Sequence, residues 1–168
     1  KNMNLIVAVA KDFAIGKDNK LLFNIPKDMA FFKEKTINNV IVMGEKTYLS
    51  LPKRPLPKRT NIVLSDNPLF EAEGAVVVHS LDELFSQLKA YNTDNIFVCG
   101  GASIYNLLMP YCKYAFITVV NEIVPADTYI KDVEKNGFKL IYSSETFSEN
   151  NHEFSFRTYE NLNIKQCD

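Results

Sequence analysis

Short runs of β-branched and aliphatic residues alternate with segments of helical periodicity over the first two thirds of the chain, and this alternation constrains the fold most. A strand, a helix and a second strand form a βαβ unit, in which both strands lie parallel in one sheet. The pattern predicts strands at residues 5–9, 40–43, 61–64, 75–78 and 95–99, and helices at residues 26–36, 45–51, 81–90 and 102–109. We therefore expect a mainly parallel sheet with helices on both faces.

The third predicted helix is marked by its own residues. Ser80 suits the N-cap position, and Glu83 follows at the spacing of a capping box. These residues predict a helix that buries one face against the sheet. Its apolar stripe comprises Leu81, Leu84, Phe85 and Leu88.

The last third of the chain has strand patterns at residues 114–121, 138–143 and 154–159, with no helical pattern between them. Side chains in the last of these alternate with a period of two residues, as in a strand with two different faces. We expect an antiparallel extension at one edge of the sheet. The predicted fold class is therefore α/β: a single domain over residues 1–168, with a twisted, mainly parallel sheet of about eight strands, an antiparallel C-terminal edge and about four flanking helices.

Composition excludes several classes of function. With 19 basic and 20 acidic side chains, the chain lacks the basic surface expected of a protein that binds nucleic acid or an anionic membrane. Its three cysteines and two histidines show no metal-ligand spacing, and no apolar run is long enough to span a bilayer. Cys112 and Cys167 are most simply free thiols of a reducing compartment. We expect a cytoplasmic monomer that holds no metal.

Asp28 is a candidate functional residue because of its neighbours. Pro26 suits the first position of a helix, which puts Asp28 in the first turn and Phe31 and Phe32 on the same face. A carboxylate between two phenyl rings is costly to bury unless a partner pairs with it. The alternative is that Asp28 simply complements the dipole of its helix.

Two glycine-led turns follow predicted strands. Gly44 separates a strand from a helix, and Gly100-Gly101 repeats the arrangement. Ligands of open parallel sheets gather beyond the carboxyl ends of the strands, where N–H groups of a first helical turn can meet a phosphate. Two such starts suit a pyrophosphate, although tight turns explain glycines equally well, and residues 102–105 lack the glycine of a dinucleotide fingerprint. Ser65-Asp66 should reach the same edge.

The connection at residues 11–24 is long for a link between a strand and a helix. It mixes apolar residues with Gly16, Asp18 and Asn19. Such a segment is typical of a lid over an active site, and an irregular loop packed against the sheet is the alternative.

Taken together, these motifs resemble the dihydrofolate reductase family, in its small monomeric bacterial form. They occur in the order and at the spacings of that family, across nearly the whole chain. The residues that carry the resemblance are Leu5-Ile6-Val7-Ala8, Ile15-Gly16, Asn24-Ile25-Pro26-Lys27-Asp28, Phe31-Phe32-Lys33, Val42-Met43-Gly44-Glu45-Lys46-Thr47, Arg54-Pro55-Leu56-Pro57-Lys58-Arg59, Cys99-Gly100-Gly101, Tyr105 and Ala126-Asp127-Thr128.

The resemblance implies an NADPH-dependent oxidoreductase of one-carbon and thymidylate metabolism, and a target of antifolates. It would reduce 7,8-dihydrofolate to 5,6,7,8-tetrahydrofolate, with hydride going to C6 and a proton to N5. Asp28 would accept hydrogen bonds from the pterin, Thr118 would bond the same acid or the amino group, and Arg59 would hold the carboxylate of the glutamate tail. NADPH is the implied cofactor, with NADH as a weaker alternative.

The resemblance also implies a full set of site residues. The catalytic residues would be Asp28, Tyr105 and Phe23, with a water beside residues 11–24 bringing the proton. The substrate would meet Ile6, Val7, Asp28, Met29, Phe32, Lys33, Leu51, Leu56, Arg59, Cys99, Tyr105 and Thr118. The cofactor would meet Ala8, Ile15, Gly16, Asn19, Leu21, Gly44, Glu45, Lys46, Thr47, Leu64, Ser65, Asp66, Gly100, Gly101, Ala102, Ser103, Ile104 and Thr128.

Three departures from the family pattern carry predictions. Leu22-Phe23 stands where the family usually has Pro-Trp, so the indole N–H that would hold a water is absent, and we expect slower or differently pH-dependent protonation. Acids or a serine stand where basic residues usually meet the 2′-phosphate of the cofactor, which predicts weaker discrimination between NADPH and NADH. Met29 and Cys99 place soft side chains in the pterin pocket. The residues at the 2′-phosphate positions are Glu45, Asp66 and Ser103, with Lys46 nearby.

Other functions remain open at this point. A reductase of the same fold acting on a pyrimidine of riboflavin synthesis would need neither Asp28 nor Arg59 in these roles. A non-catalytic module that binds a nucleotide or a flavin is a second alternative, and a structural domain without ligand is a third. Consumption of NADPH with dihydrofolate as the substrate would distinguish dihydrofolate reduction from all three alternatives.

Overall fold

The computed structural model describes residues 2–167, which form one large mixed sheet, one small sheet and the helices around them. The strands are β1 Met3–Val9, β2 Ala14–Lys17, β3 Lys20–Leu21, β4 Val40–Gly44, β5 Thr60–Leu64, β6 Val76–Val78, β7 Ile96–Val98, β8 Cys112–Val120, β9 Thr128–Tyr129, β10 Phe138–Ser143, β11 Phe147–Glu149 and β12 His152–Asn161. The α-helices are α1 Pro26–Thr36, α2 Glu45–Ser50, α3 Leu81–Leu88 and α4 Ala102–Leu108, and short 3₁₀ helices span Met109–Tyr111 and Glu134–Asn136.

The large sheet runs in the order β10–β12–β8–β1–β7–β4–β5–β6, and β11 pairs with β12. Strands β8, β1, β7, β4, β5 and β6 are parallel, whereas β12 pairs antiparallel with both β8 and β10. The predicted α/β fold class, with a mainly parallel sheet and an antiparallel C-terminal edge, is confirmed. Because the central strands are parallel, their carboxyl ends meet at one edge of the sheet.

Alternate side chains of the strands fill two apolar layers. Val40 and Val42 face the layer that contains Leu84 and Leu108 of α3 and α4. Ile41 and Met43 face the opposite layer, which holds Tyr48 of α2 and the half-buried phenyl rings of α1. This period of two residues places helices on both faces, as the sequence predicted.

Helix α3 begins as its residues predicted. The hydroxyl of Ser80 accepts a hydrogen bond from the N–H of Glu83 at 3.1 Å. The carboxylate of Glu83 reaches back to the N–H of His79 at 2.5 Å, one residue earlier than a capping box requires. Among the described residues, no helix is long and apolar enough to cross a membrane.

The connection at residues 11–24 is not irregular, and that alternative is wrong. Strands β2 and β3 form a hairpin within it, turned by Asp18 and Asn19 with φ of 52° and 62°. Strand β2 also pairs antiparallel with β9, giving a small three-stranded sheet in the order β3–β2–β9. The sequence analysis missed β2, β3, β9 and β11, because each is only two to four residues long and becomes a strand only by pairing with another short segment or with β12.

Candidate active site

Asp28 lies in the first turn of α1 and is half-buried. The hydroxyl of Thr118, on the buried strand β8, donates a hydrogen bond to Oδ1 of Asp28 at 2.5 Å. Burial raises the pKa of Asp28, and the bond from Thr118 lowers it by a smaller amount. The carboxyl group is thus held by one neutral donor and has no cationic partner among the ion pairs of residues 2–167.

The two phenyl rings beside Asp28 face different neighbours. Phe31 stacks on Phe156 of β12, with 4.6 Å between the ring centroids. Phe32 instead has the guanidinium carbon of Arg59 at 5.8 Å from its ring centroid. Both rings belong to one apolar cluster that also includes the predicted pocket residues Ile6, Leu51, Leu56 and Cys99.

Arg59 is presented by a loop that the buried side chain of Asn61 braces. Oδ1 of Asn61 accepts from the N–H of Leu56 at 3.0 Å, and its amide group donates to the carbonyl oxygens of Leu56 and Arg59 at 3.0 and 3.1 Å. Nε of Arg59 is buried and has no hydrogen-bond partner among the described residues, and burial lowers the pKa of Arg59. A buried, unpaired guanidinium nitrogen suits an anionic ligand group.

Tyr105 and Cys99 lie close to the other predicted site residues, since Tyr105 interacts electrostatically with Cys99 and Asp28, and Cys99 with Arg59. The buried hydroxyl of Tyr105 donates to the carbonyl oxygen of Ile6 at 2.8 Å. Burial raises the pKa of Tyr105 and that of Cys99, so both groups are neutral at physiological pH. The carbonyl group of Ile6 thus orients Tyr105, as the side chain of Asn61 orients the loop that ends at Arg59. Sequence analysis did not select Asn61, and the available signal was a polar residue near the start of an otherwise apolar strand.

The two glycine-led turns lie side by side. The N–H of Gly44 donates to the carbonyl oxygen of Gly100 at 2.9 Å, and Gly100 has a φ of 120°. A Cβ atom at Gly44 would lie 2.9 Å from Cγ1 of Ile104, and one at Gly101 would lie 3.3 Å from Oγ1 of Thr47. A Cβ at Gly44 would displace Ile104, the φ of Gly100 favours glycine, and the starts of α2 and α4 have no capping side chains.

An acidic side chain, that of Glu45, lies near the carboxyl ends of β4 and β5. The hydroxyl of Ser65, after β5, donates to Oε1 of Glu45 at 2.6 Å. Nδ1 of His79, after β6, lies 2.9 Å from the carbonyl oxygen of Ser65. Glu45 and Ser65 were predicted at this edge, whereas His79 was not.

The β2–β3 hairpin is tied to the chain around β9. The N–H of Asp127 donates to the carbonyl oxygen of Gly16 at 3.1 Å, and the N–H of Asp18 donates to Oδ2 of Asp127 at 3.0 Å. Gly16 and Thr128 are register partners in the small sheet. The hydrogen bond from Asp18 is the main cause of a lowered pKa at Asp127.

Phe23 has a histidine beside it, which the sequence did not indicate. The ring of His152 meets Phe23 edge-on, with 5.2 Å between centroids, and its Nδ1 pairs with the carboxylate of Glu122. The N–H of Lys11 donates to the carbonyl oxygen of Glu122 at 3.0 Å. Sequence reasoning missed this pair because its residues lie 30 positions apart.

The other predicted site residues divide by exposure. Ala8, Ile15, Leu64 and Ala102 are buried or half-buried along the ligand edge, and Val7 packs against the core. Several are exposed instead: Asn19, Leu21 (86%), Met29 (63%), Lys33, Lys46, Asp66 and Ser103. Within residues 2–167, no group of three or more His, Cys, Asp or Glu side chains could hold a metal ion.

These features define a class of protein. A parallel sheet with adjoining glycine-led helix starts at its carboxyl edge is typical of nucleotide-binding α/β proteins. Near that edge, the half-buried carboxyl of Asp28 and the buried Nε of Arg59, which has no hydrogen-bond partner among the described residues, are polar groups available to a small-molecule ligand. The class is therefore a nucleotide-dependent α/β enzyme.

Comparison with known proteins identifies the family. The dihydrofolate reductase family model matches residues 2–161. The chain is 34% identical over 167 residues to dihydrofolate reductase of Bacillus subtilis, covering 98% of each chain, and 36% identical over 155 residues to that of Enterococcus faecium, covering 90% of this chain and 92% of the relative. The structure of dihydrofolate reductase from Enterococcus faecalis complexed with NADP(H) and RAB-propyl matches with a TM-score of 0.84 at 31% identity, covering 96% of each chain. The chain belongs to the dihydrofolate reductase family.

Membership in this family confirms four predictions made from the sequence: the family, the enzyme class, the reaction and NADPH as the cofactor. The matches do not favour a pyrimidine reductase or a non-catalytic nucleotide-binding module.

Proposed function

We propose that the chain reduces 7,8-dihydrofolate to 5,6,7,8-tetrahydrofolate at the pocket between α1 and the carboxyl edge of the sheet, with Asp28 as the anchor of the pterin. The observation that carries this proposal is the half-buried carboxyl of Asp28, which is bonded to Thr118 and has no cationic partner among residues 2–167. A pterin offers a ring N–H and an amino group side by side, and one ionised carboxylate can accept from both. The ligand therefore supplies the partner that burial requires.

The rest of the substrate follows the apolar cluster toward Arg59. Ile6, Phe32 and Leu56 form the walls, and the brace from Asn61 holds the loop that presents the guanidinium. The unpaired Nε of Arg59 supports a role in binding the carboxylate of the glutamate tail. Arginine binds a carboxylate through two parallel hydrogen bonds, so this contact also orients the substrate.

We place the cofactor at the carboxyl edge of the sheet beside Gly44 and Gly100-Gly101, called the glycine edge here. NADPH, when bound, supplies the hydride to C6. Gly44, Gly100 and Gly101 let the phosphate groups approach the backbone, and Thr47 and Ala8 border the nicotinamide, where small side chains allow the two rings to stack closely. The close contact that a Cβ at Gly44 would make and the φ of 120° at Gly100 support this fit.

The proton for N5 comes by a different route. Tyr105 has its hydroxyl hydrogen bonded to Ile6 and a raised pKa, so we assign it to positioning the inner wall. Asp28 holds the far side of the pterin and does not deliver the proton directly. A water beside the β2–β3 hairpin and Phe23 is the proposed donor to N5.

The test is loss of NADPH absorbance with dihydrofolate, measured for wild type and Asp28→Asn. The asparagine keeps an oxygen that accepts from Thr118, so the variant should fold. It cannot carry the charge that pairs with the pterin, and its kcat/KM should fall by roughly two to four orders of magnitude. A wild type without turnover, or an Asp28→Asn variant within tenfold of it, would disprove the proposal.

We further propose that the protein acts as a monomer in the cytoplasm, as one domain. Light scattering coupled to size exclusion at assay concentrations tests the monomer. A dimer mass would contradict it.

A further inference from the structure

Helix α1, which carries Asp28, begins without a capping side chain of its own. Ile25 occupies the N-cap position, and its side chain has no atom that accepts a hydrogen bond. Pro26 has no N–H, and the N–H of Asp28 donates to the carbonyl oxygen of Ile25 at 3.0 Å. The N–H of Lys27 is therefore the group of this first turn that needs an acceptor from elsewhere.

A hairpin from the end of the chain supplies that acceptor. Strands β11 and β12 are joined by Asn150 and Asn151, whose φ angles of 51° and 63° make a tight turn. Oε1 of Glu149 accepts from the N–H of Lys27 at 2.7 Å, and Nδ2 of Asn150 donates to the carbonyl oxygen of Asn24 at 3.0 Å. The two bonds lie on either side of Pro26.

Packing fixes the hairpin against the helix over the same stretch. Nζ of Lys27 lies 4.4 Å from the centroid of the Phe147 ring. Ile25 is buried in a cluster with Phe154, and the ring of Phe147 packs against that cluster. The carboxylate of Glu149 is therefore presented by a packed surface, which reduces the entropy that its bond to Lys27 must overcome.

We propose that Glu149 is a positioning residue for Asp28: by capping Lys27, it holds the first turn of α1 and so fixes the carboxylate that meets the pterin. This inference rests on the proposed function, because it assigns Glu149 to the pterin side of the site. Asp28 directly follows Lys27, and the bond from Thr118 is its other fixed point. Without the cap, the first turn frays and the carboxylate turns toward water, so a pterin must reorder it on binding.

Calorimetric titration with folate alone and with NADPH alone separates the pterin side from the nucleotide side. Glu149→Ala should raise the Kd for folate about five- to tenfold, the effect expected for a lost cap, and leave the Kd for NADPH within about twofold. Glu149→Gln keeps an acceptor for Lys27 and should bind folate within about twofold of wild type. Glu153→Ala removes an exposed glutamate of the same hairpin as a control, and should change neither constant.

A second readout is amide hydrogen exchange. The N–H groups of Lys27 and Asp28 should exchange faster in Glu149→Ala, while those of α3 keep their wild-type rates. In turnover, the same variant should raise KM for dihydrofolate and leave KM for NADPH unchanged.

Unchanged folate affinity in Glu149→Ala, or equal weakening of folate and NADPH, would overturn the inference. So would a Glu149→Ala protein that fails to fold, or a Glu149→Gln variant as weak as Glu149→Ala, because neither result fits a local cap. Failure of the proposed function is a different result: wild type itself would bind no folate and turn over no dihydrofolate.

Discussion

Phe23 presents an apolar ring, edge-on to His152, at the place proposed for the water that protonates N5. Because no side chain at this position donates a hydrogen bond, we expect Phe23→Trp to speed protonation and to change the pH dependence of kcat. The gain should be largest above neutral pH, where protons are scarce. The measurement is the pH–rate profile of both proteins under saturating NADPH and dihydrofolate.

Phe23→Leu is the matched control, since it changes the bulk at this position without adding a donor. Its profile should keep the shape of the wild-type profile. If Phe23→Trp also leaves the profile unchanged, the water does not depend on residue 23.

Glu45 sets a second residue-level expectation, because its carboxylate accepts from Ser65 at the edge proposed for the 2′-phosphate of NADPH. An acid near a dianionic phosphate is unfavourable, so the preference of wild type for NADPH over NADH should be small. Glu45→Gln keeps the acceptor for Ser65 and removes the charge. We expect the ratio of kcat/KM for NADPH to that for NADH to rise about fivefold, equivalent to about 1 kcal/mol.

The comparison variant is Glu71→Gln, which removes the same charge from an exposed position outside the proposed site. It should leave the cofactor ratio unchanged. A large NADPH preference in wild type, or an unchanged ratio in Glu45→Gln, would refute the expectation.

At the scale of elements, the β2–β3 hairpin depends on one exposed acid of the segment around β9. Asp127 accepts from the N–H of Asp18, and this bond lowers the pKa of Asp127 below its ordinary value. The contribution of the bond is therefore present above the ordinary pKa of an aspartate and is lost as the pH falls through the lowered value. Asp127→Ala should make the amide of Asp18 exchange faster at neutral pH, with little change in global Tm.

The amides of α3 in the same sample are the internal control. Helix α3 packs on the large sheet, so the bond between Asp127 and Asp18 should not affect its exchange. In wild type, protection of the Asp18 amide should decline only in strongly acidic solution. Equal protection of Asp18 in both proteins would show that the backbone pairing of β2 with β9 suffices.

Elements also show where sequence reasoning succeeds. The bounds of α1 and β10 agree with the predicted ranges, because Pro26 marks a helix start and the strand pattern of β10 is local. Strand β11 was missed, although it presents Glu149 to α1, because its three residues become a strand only by pairing with β12. A cap donated from 122 positions away leaves no signal in either segment.

For the whole molecule, the half-buried carboxyl group of Asp28 should lower the stability of the fold at neutral pH, and the proposed function gives the same group its role in binding the pterin. Burial raises its pKa in the folded state, so its protonated form suits the fold, and that advantage is lost as the pH rises through the raised value. At neutral pH the ionised carboxylate therefore destabilises the fold. Asp28→Asn should raise Tm by roughly 2 °C at pH 7, and the difference should vanish below the ordinary pKa of an aspartate.

Thermal unfolding of both proteins at pH 3 and pH 7 provides the measurement and its control. Folate should then stabilise wild type more than Asp28→Asn at pH 7, since only the carboxylate binds the pterin. A lower Tm for Asp28→Asn at pH 7 would mean that the carboxylate stabilises the fold without any ligand.

The sequence by itself determined the α/β class and indicated the candidate residues, because strand and helix periods, Pro26 and the glycines of the two turns act through local geometry. Tertiary structure alone decided which side chains meet. It gave Phe31 and Phe32 different neighbours and bonded Asn61 to the loop of Arg59. It also packed His152 edge-on to Phe23 and brought Glu149 to the first turn of α1. Apart from the local contact of Asn61 with Arg59, these contacts join residues far apart in the chain, and their geometry exists only after the strands have paired and the helices have packed.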